Sequence, residues 1–431
     1  MPQHPVTRQL RWTLLAAPLA GALVLAGCAG GGDDSSGGGD AATEEGFSIM
    51  VAVANDGDDA YARITEVFSE ETGIPVEVID YPSEAYNQQI RTQLQAGTAA
   101  DVMVLAPGTG QEISVVPLAE EGFLEPLDGP TKSVIPAGTE AQYEVDGKIY
   151  AQPTGLMPVG FVYNGAAAKE VGIDEFPATF EDLINACGVA REGGKNFTAL
   201  AGAAAPNTGM LGMNLAAARV YGEDPEWNAK RAAGKVTFAD SAWVDALQAV
   251  VDMNEAGCFQ DGAAGSGFDA ITNGVVGGTA LTGIVPGSAA LSMNAAKEGA
   301  GIVVQAVPAP KGEATILYAS ANYAFGLNAN ATDGAKASVK KFLEWMTKPE
   351  NAVAFADMFG LVPISGATDD NLIDEFQSIS PLITSGNYVG LPNAEWPSAA
   401  VYDALATGVQ GLLTGQTSPL QVAEAMDQAW G

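Results

Sequence analysis

Histidine occurs once in this chain, at position 4, and that restricts the chemistry the protein can perform. A nucleophilic serine or cysteine uses an imidazole as its base, and most zinc sites include imidazole nitrogen. His4 precedes an apolar run that reads as a cleaved leader, so it is not expected in the mature protein. No GxxxxGK[ST] loop is present, and Gly108-Thr-Gly110 holds only the opening of a dinucleotide-binding fingerprint. No cofactor, metal site or catalytic residue is assigned. Carboxylates are abundant, which leaves a carboxylate-pair glycosidase as the remote enzymatic alternative. Nothing in the spacing sets two of them together.

The cysteines carry a different chemistry. Cys28 follows Leu25-Ala-Gly, an arrangement that resembles the bacterial lipobox, in which the thiol is acylated and the chain cut before it. Arg8 and Arg11 ahead of the apolar run 14–25 complete a signal peptide over residues 1–27. Residues 28–46 are rich in Gly, Ser, Asp and Glu and bury too little to offset their ordering entropy, so a flexible tether is expected. The protein is thereby expected outside the cytoplasm, on the outer face of the cell membrane and attached through lipid alone. Cys187 and Cys258 then meet an oxidising compartment; they either form a disulfide between helix ends or remain buried thiols.

Binding groups remain. Asn55, Asp56 and Asp58 follow the first strand, and Asp101 opens the strand that leads into the loop 106–109, where Thr109 offers a hydroxyl. Strand ends at a topological switch are where open α/β sheets take ligands. Asp58 reads equally well as a helix cap.

The elements that would position these groups alternate strand and helix. Residues 48–54 read as a strand, Ile64, Val67 and Phe68 as one face of a helix stopped by Gly73, and Ile74, Val76 and Val78 as a second strand. Tyr86, Ile90 and Leu94 mark a helix closed by Gly97, and residues 102–105 form a short apolar strand. The β-α-β-α-β order predicts an α/β fold with a doubly wound, mostly parallel sheet. About 385 residues follow the tether, more than one core organises, so two lobes are expected. Without the leader, 17 basic residues face 52 acidic ones, a net charge of −35. Nucleic acid is a poor partner for that field.

Successive stretches give a resemblance. Phe68-Ser-Glu-Glu-Thr-Gly-Ile-Pro-Val76, the run 90–105, Gly122-Phe-Leu-Glu-Pro-Leu-Asp128, Asp146-Gly-Lys-Ile-Tyr-Ala-Gln-Pro153, Phe161-Val-Tyr-Asn164, Pro177-Ala-Thr-Phe-Glu-Asp-Leu183 and residues 335–363 stand in the order of the bacterial extracellular solute-binding proteins of the maltose-binding type, family 1. The chain resembles that family over nearly all of its mature length.

The resemblance implies a two-lobed periplasmic-binding-protein fold, with a sheet flanked by helices in each lobe and three chain crossings between them. Residues 47–157 with 323–365 would form lobe 1, and 158–322 with 366–431 lobe 2. It further implies a monomer that captures a small polar solute, a mono- or short oligosaccharide, and delivers it unaltered to the permease of an ABC importer. A polyamine or metal ion is the alternative cargo. Trp396 would stack on the ligand or else pack as a core ring at a loop end, and Asn322 and Tyr323, at a crossing, would face the cleft or pack between lobes. A loop that carries a tryptophan in many relatives reads here as 284–288 without a ring, and the loops 203–210 and 106–109 offer none either, so Asn207, Ser288 and backbone groups would bond a compact solute.

Overall fold

The computed structural model describes residues 44–53 and 60–431 apart from 128, 137 and 322. Cys28, Asn55, Asp56, Asp58 and Asn322 lie outside the described residues. The strands, in chain order, are β1 (Phe47–Val53), β2 (Val76–Pro82), β3 (Val102–Leu105), the hairpin β4 (Glu144–Val145) and β5 (Lys148–Ile149), and β6 (Ala151–Pro153). There follow β7 (Leu156–Asn164), β8 (Asn196–Ala199), β9 (Ala280–Pro286), β10 (Ile302–Gln305), β11 (Leu317–Ala321), β12 (Ala324–Leu327) and β13 (Tyr388–Val389).

Two sheets result. The first has the order β2-β1-β3-β12-β6, with β1 parallel to β2 and β3, while β12 runs antiparallel to β3 and β6. The second has the order β13-β11-β7-β9-β8, and β10 also pairs with β7. This second sheet is mixed rather than mostly parallel, because β7 runs antiparallel to β9, β10 and β11. The direction follows from connectivity: β7 comes straight from β6 of the first sheet through Thr154 and Gly155, so it enters the second sheet from the side facing the first.

Local sequence explains most elements. Helix Ser83–Ala96 buries Tyr86, Ile90 and Leu94 and stops at Gly97, which adopts φ 69° as a left-handed cap. Thr179 caps helix Phe180–Glu192 by accepting the Asp182 N–H, and Ser241 Oγ receives the N–H of Trp243 at the start of helix Trp243–Glu255. In helix Ala60–Thr72, Ile64 and Phe68 are buried, whereas Val67 is 37% exposed and lies off the core face.

Aromatic rings centre both cores. Phe68 meets Phe47 and Phe342 edge-on under the first sheet. Trp227, Phe238 and Trp243 pack together beside the second, at centroid distances of 4.8–6.3 Å. Cys187 and Cys258 are disulfide-bonded, with Cα atoms 4.7 Å apart and both residues fully buried. Cys187 lies inside helix Phe180–Glu192 rather than at its end; Cys258 follows the turn that closes helix Trp243–Glu255.

The three residues 44–46 lead into β1. Glu45 Oε1 accepts the Ala335 N–H and the Thr332 hydroxyl, and the Glu45 carbonyl accepts from Ser338 Oγ. Lys341 Nζ lies 2.9 Å from Glu44. The end of the expected tether is thus fastened across helix Asp333–Met346 of the first sheet's lobe. Among the described residues, no helix is long and apolar enough to cross a membrane.

Candidate functional site: the interlobe cleft

A cavity of about 310 Å³ lies between the two sheets. Ala106 and Pro107, just past the end of β3, line one wall, and Pro286, the last residue of β9, lines the other. Met157 and Val159 at the start of β7 and Ser320 and Ala321 at the end of β11 form its floor, where the chain passes between lobes. The cavity therefore sits at the strand ends that the fold brings face to face, the usual ligand position in open α/β sheets.

Two side-chain amides there are incompletely bonded. Gln142, at the end of the turn Glu140–Gln142, is only 2% exposed, and its Oε1 has no hydrogen-bond partner. Asn393, in the turn Pro392–Glu395, has a buried Oδ1 that is likewise unpartnered. Both residues line the cavity, one from each lobe. A buried acceptor without a partner costs about 1–3 kcal/mol, a cost that a donor on a ligand would remove.

The remaining wall comes from helix Ala399–Thr414, which presents Ser398, Ala399, Tyr402 and Asp403. Tyr402 can approach because Gly209 has no side chain: a Cβ there would stand 2.5 Å from the Tyr402 ring. The Tyr402 hydroxyl donates to the Pro206 carbonyl at 2.7 Å. Burial, and then the neighbouring Asp403 carboxylate, push its phenol well above the usual range, so it stays protonated. Met210 and Leu391 add apolar surface. This combination of apolar walls and a few oriented polar groups is typical of small-molecule sites.

A bonded scaffold holds the Asn393 turn. Asn228, itself buried, donates through Nδ2 to the Pro392 carbonyl and to Glu395 Oε2, both at 3.0 Å, and accepts from the Tyr221 hydroxyl at 2.9 Å. Trp396 then enters the lobe core at the end of the turn.

Several expected site residues do other work. Trp396 is 1% exposed and packs on Phe238 and Trp243 at 5.8 and 6.0 Å, so it is a core residue and not a platform for ligand. Its polar sequence neighbours face outward while the short helical turn directs the ring inward. Asp101 accepts from the Ser48 N–H and hydroxyl, both at 2.8 Å, and ties β3 to β1 at their N-terminal ends, away from the cavity. Asn207 is fully buried and satisfied: its Oδ1 accepts from Ala201 N and its Nδ2 donates to the Ile284 carbonyl.

Ser288 stands at the start of helix Ala289–Ala296, two residues beyond the lining Pro286 and outside the lining itself. Thr109 is exposed between the lining residues Gly108's neighbour Pro107 and Gly110. Tyr323 is half-buried at the crossing, where its carbonyl accepts from Thr154 N and Oγ1, and burial raises its phenol pKa. Gln142, Asn393, Tyr402 and Asp403, which line the cavity, were not among the site residues expected from the sequence. Gly209 inside a helix was the available signal for a bulky neighbour.

Residues 41–353 match the family described as bacterial extracellular solute-binding protein. The chain belongs to this family. Its fold is that of two-lobed solute-binding proteins. A family 1 extracellular solute-binding protein from Bifidobacterium longum subsp. infantis superposes with a TM-score of 0.71 at 19% identity, covering 90% of this chain and 99% of that one. Apo RafE from Streptococcus pneumoniae gives 0.72 at 18% identity, covering 91% and 98%. The GacH receptor of Streptomyces glaucescens gives 0.67 at 17% identity, covering 90% and 97%. No curated protein matches the sequence. The family consists of extracellular binding proteins, and the site described above lies between this member's two lobes.

Proposed function

We propose that this protein captures a compact sugar in the interlobe cleft and releases it, chemically unaltered, to the permease of an ABC importer. The observation that carries the reading is the cavity of about 310 Å³ between the lobes, where apolar Met157, Val159, Met210 and Leu391 stand beside the polar Gln142, Ser320, Asn393, Tyr402 and Asp403. Sugar hydroxyls both donate and accept, and would pair with such polar groups drawn from the two lobes. The C–H faces of a sugar suit Tyr402, Met157 and Met210. A volume of about 310 Å³ lies at the low end of the ligand-pocket range of roughly 300–1,000 Å³, which favours a mono- or disaccharide over a long chain.

Two proteins with this fold form sugar complexes, RafE with raffinose and the GacH receptor with acarbose. A hydrolase of the carboxylate-pair type needs two acids across the scissile bond; among the described lining residues Asp403 is the one carboxylate. The lipobox-like Leu25-Ala-Gly-Cys28 supports attachment to the outer face of the membrane through a lipidated Cys28.

The test is a thermal-shift screen of the purified protein against sugars, followed by calorimetry on any that stabilise it. Ligand at 100 to 1,000 times its Kd adds about 2.7–4.1 kcal/mol of stability through mass action. One-to-one binding, intact sugar recovered afterwards and at least a tenfold loss of affinity in Gln142→Ala support the reading. Recovery of a hydrolysed product would overturn it.

A further inference from the structure

We propose that the cleft selects its solute by charge, taking polyols that are neutral or carry an ammonium group and rejecting carboxylated or phosphorylated ones, with Asp403 as the residue that sets the choice. The inference rests on the sugar-binding reading and narrows its substrate class.

Three features of the lining converge. Among the described residues, Asp403 is its one ionised side chain, and neither lysine nor arginine lines it. An anion entering this space would find no cation to replace its lost hydration, which is the dominant cost of burying a charge. The unpartnered oxygens of two lining residues, Gln142 Oε1 and Asn393 Oδ1, are buried acceptors and so add partial negative charge beside the cavity. That charge favours hydroxyl and ammonium hydrogens over carboxylate or phosphate oxygens. The wider field has the same sign, since the chain carries a net charge of −33 and attracts cations toward its surface.

One feature opposes these. The first turn of helix Ala399–Thr414 borders the cavity through Ser398 and Ala399, and a helix N-terminus favours anions. Asp403 lies in the second turn of the same helix. Its full negative charge outweighs the roughly half-charge of the helix end, so the local field near Tyr402 is negative. Because Asp403 is exposed, water screens it and the discrimination is graded, not absolute.

The experiment uses the full-length protein and matched sets: glucose, glucosamine and glucuronate; galactose, galactosamine and galacturonate; with spermidine and citrate as non-sugar cation and anion. Titrations are repeated in Asp403→Asn and Asp403→Lys, whose exposed position keeps the ligand-free melting temperature close to wild type. For any sugar that binds, the uronate is expected to bind at least about tenfold more weakly than the neutral or amino form. Asp403→Asn should narrow that gap, and Asp403→Lys should close or reverse it.

A uronate or citrate that binds as well as its neutral counterpart overturns charge selection while leaving a sugar site possible. So does a gap unchanged in Asp403→Asn. Binding of spermidine with no sugar supports charge selection and removes the sugar reading. A panel with no binder at all overturns both.

Discussion

Gly108 of one lobe faces the carbonyl oxygen of Ala394 in the other so closely that a Cβ on Gly108 would stand 2.5 Å from that oxygen. The two lobes therefore meet at the cleft rim through bare backbone. Gly108 has φ 77°, and its N–H donates to the Gln142 carbonyl, so the contact is coupled to the residue that supplies one unpartnered amide.

Gly108→Ala is expected to lower ligand affinity at least tenfold by holding the rim apart. It also strains the backbone by about 1–2 kcal/mol, because an L-residue disfavours this region. Gly97→Ala separates the two effects: Gly97 has φ 69° but nothing within 4 Å of its Cβ position. Calorimetry should show full affinity in Gly97→Ala with a similar loss of melting temperature. Equal affinity in both variants would remove the rim contact from the binding cycle.

Trp396→Ala should cost about 3–5 kcal/mol of stability, as expected for a large ring removed from a packed core. Chemical denaturation without ligand measures it. A variant as stable as wild type but defective in binding would return Trp396 to the ligand surface.

Asn228 does not line the cavity, yet it holds the turn that carries Asn393. Asn228→Ala leaves the Pro392 carbonyl and Glu395 short of a buried donor, a loss of about 1–3 kcal/mol. A weaker ligand affinity at temperatures where the variant remains folded is expected, through displacement of Asn393. If calorimetry finds wild-type affinity in the folded variant, the turn is positioned by Trp396 alone.

Reduction of Cys187–Cys258 removes a cross-link spanning 71 residues. In the chain-entropy model such a loop contributes about 4 kcal/mol, so Cys258→Ser should lower the melting temperature by several degrees. The bond lies in the lobe of the second sheet, away from the cavity-lining residues, and ligand affinity should survive. Peptide mapping without reductant should recover the two cysteines linked.

Local sequence determined what depends on neighbours in the chain: the strand at Val102–Leu105, the left-handed stop at Gly97, the Thr179 cap and the repeated strand-helix grammar, because these follow from side-chain periodicity and backbone sterics within a few residues. The ordered series of family-like stretches added the two-lobed fold. The tertiary structure decided which polar groups were already satisfied. Asp101 and Asn207 look like free ligands in sequence, but Ser48 engages Asp101 Oδ2, and Ala201 and Ile284 engage both ends of the Asn207 amide, partners brought in by strand pairing and helix packing. Gln142 and Asn393 lie 251 positions apart and carry no local mark; only the meeting of the lobes brings both residues to one cavity. That Trp396 lies in the core while Tyr402 lines the cavity has the same reason, since which ring faces the core depends on the direction of a turn held by Asn228 and on the space left by Gly209.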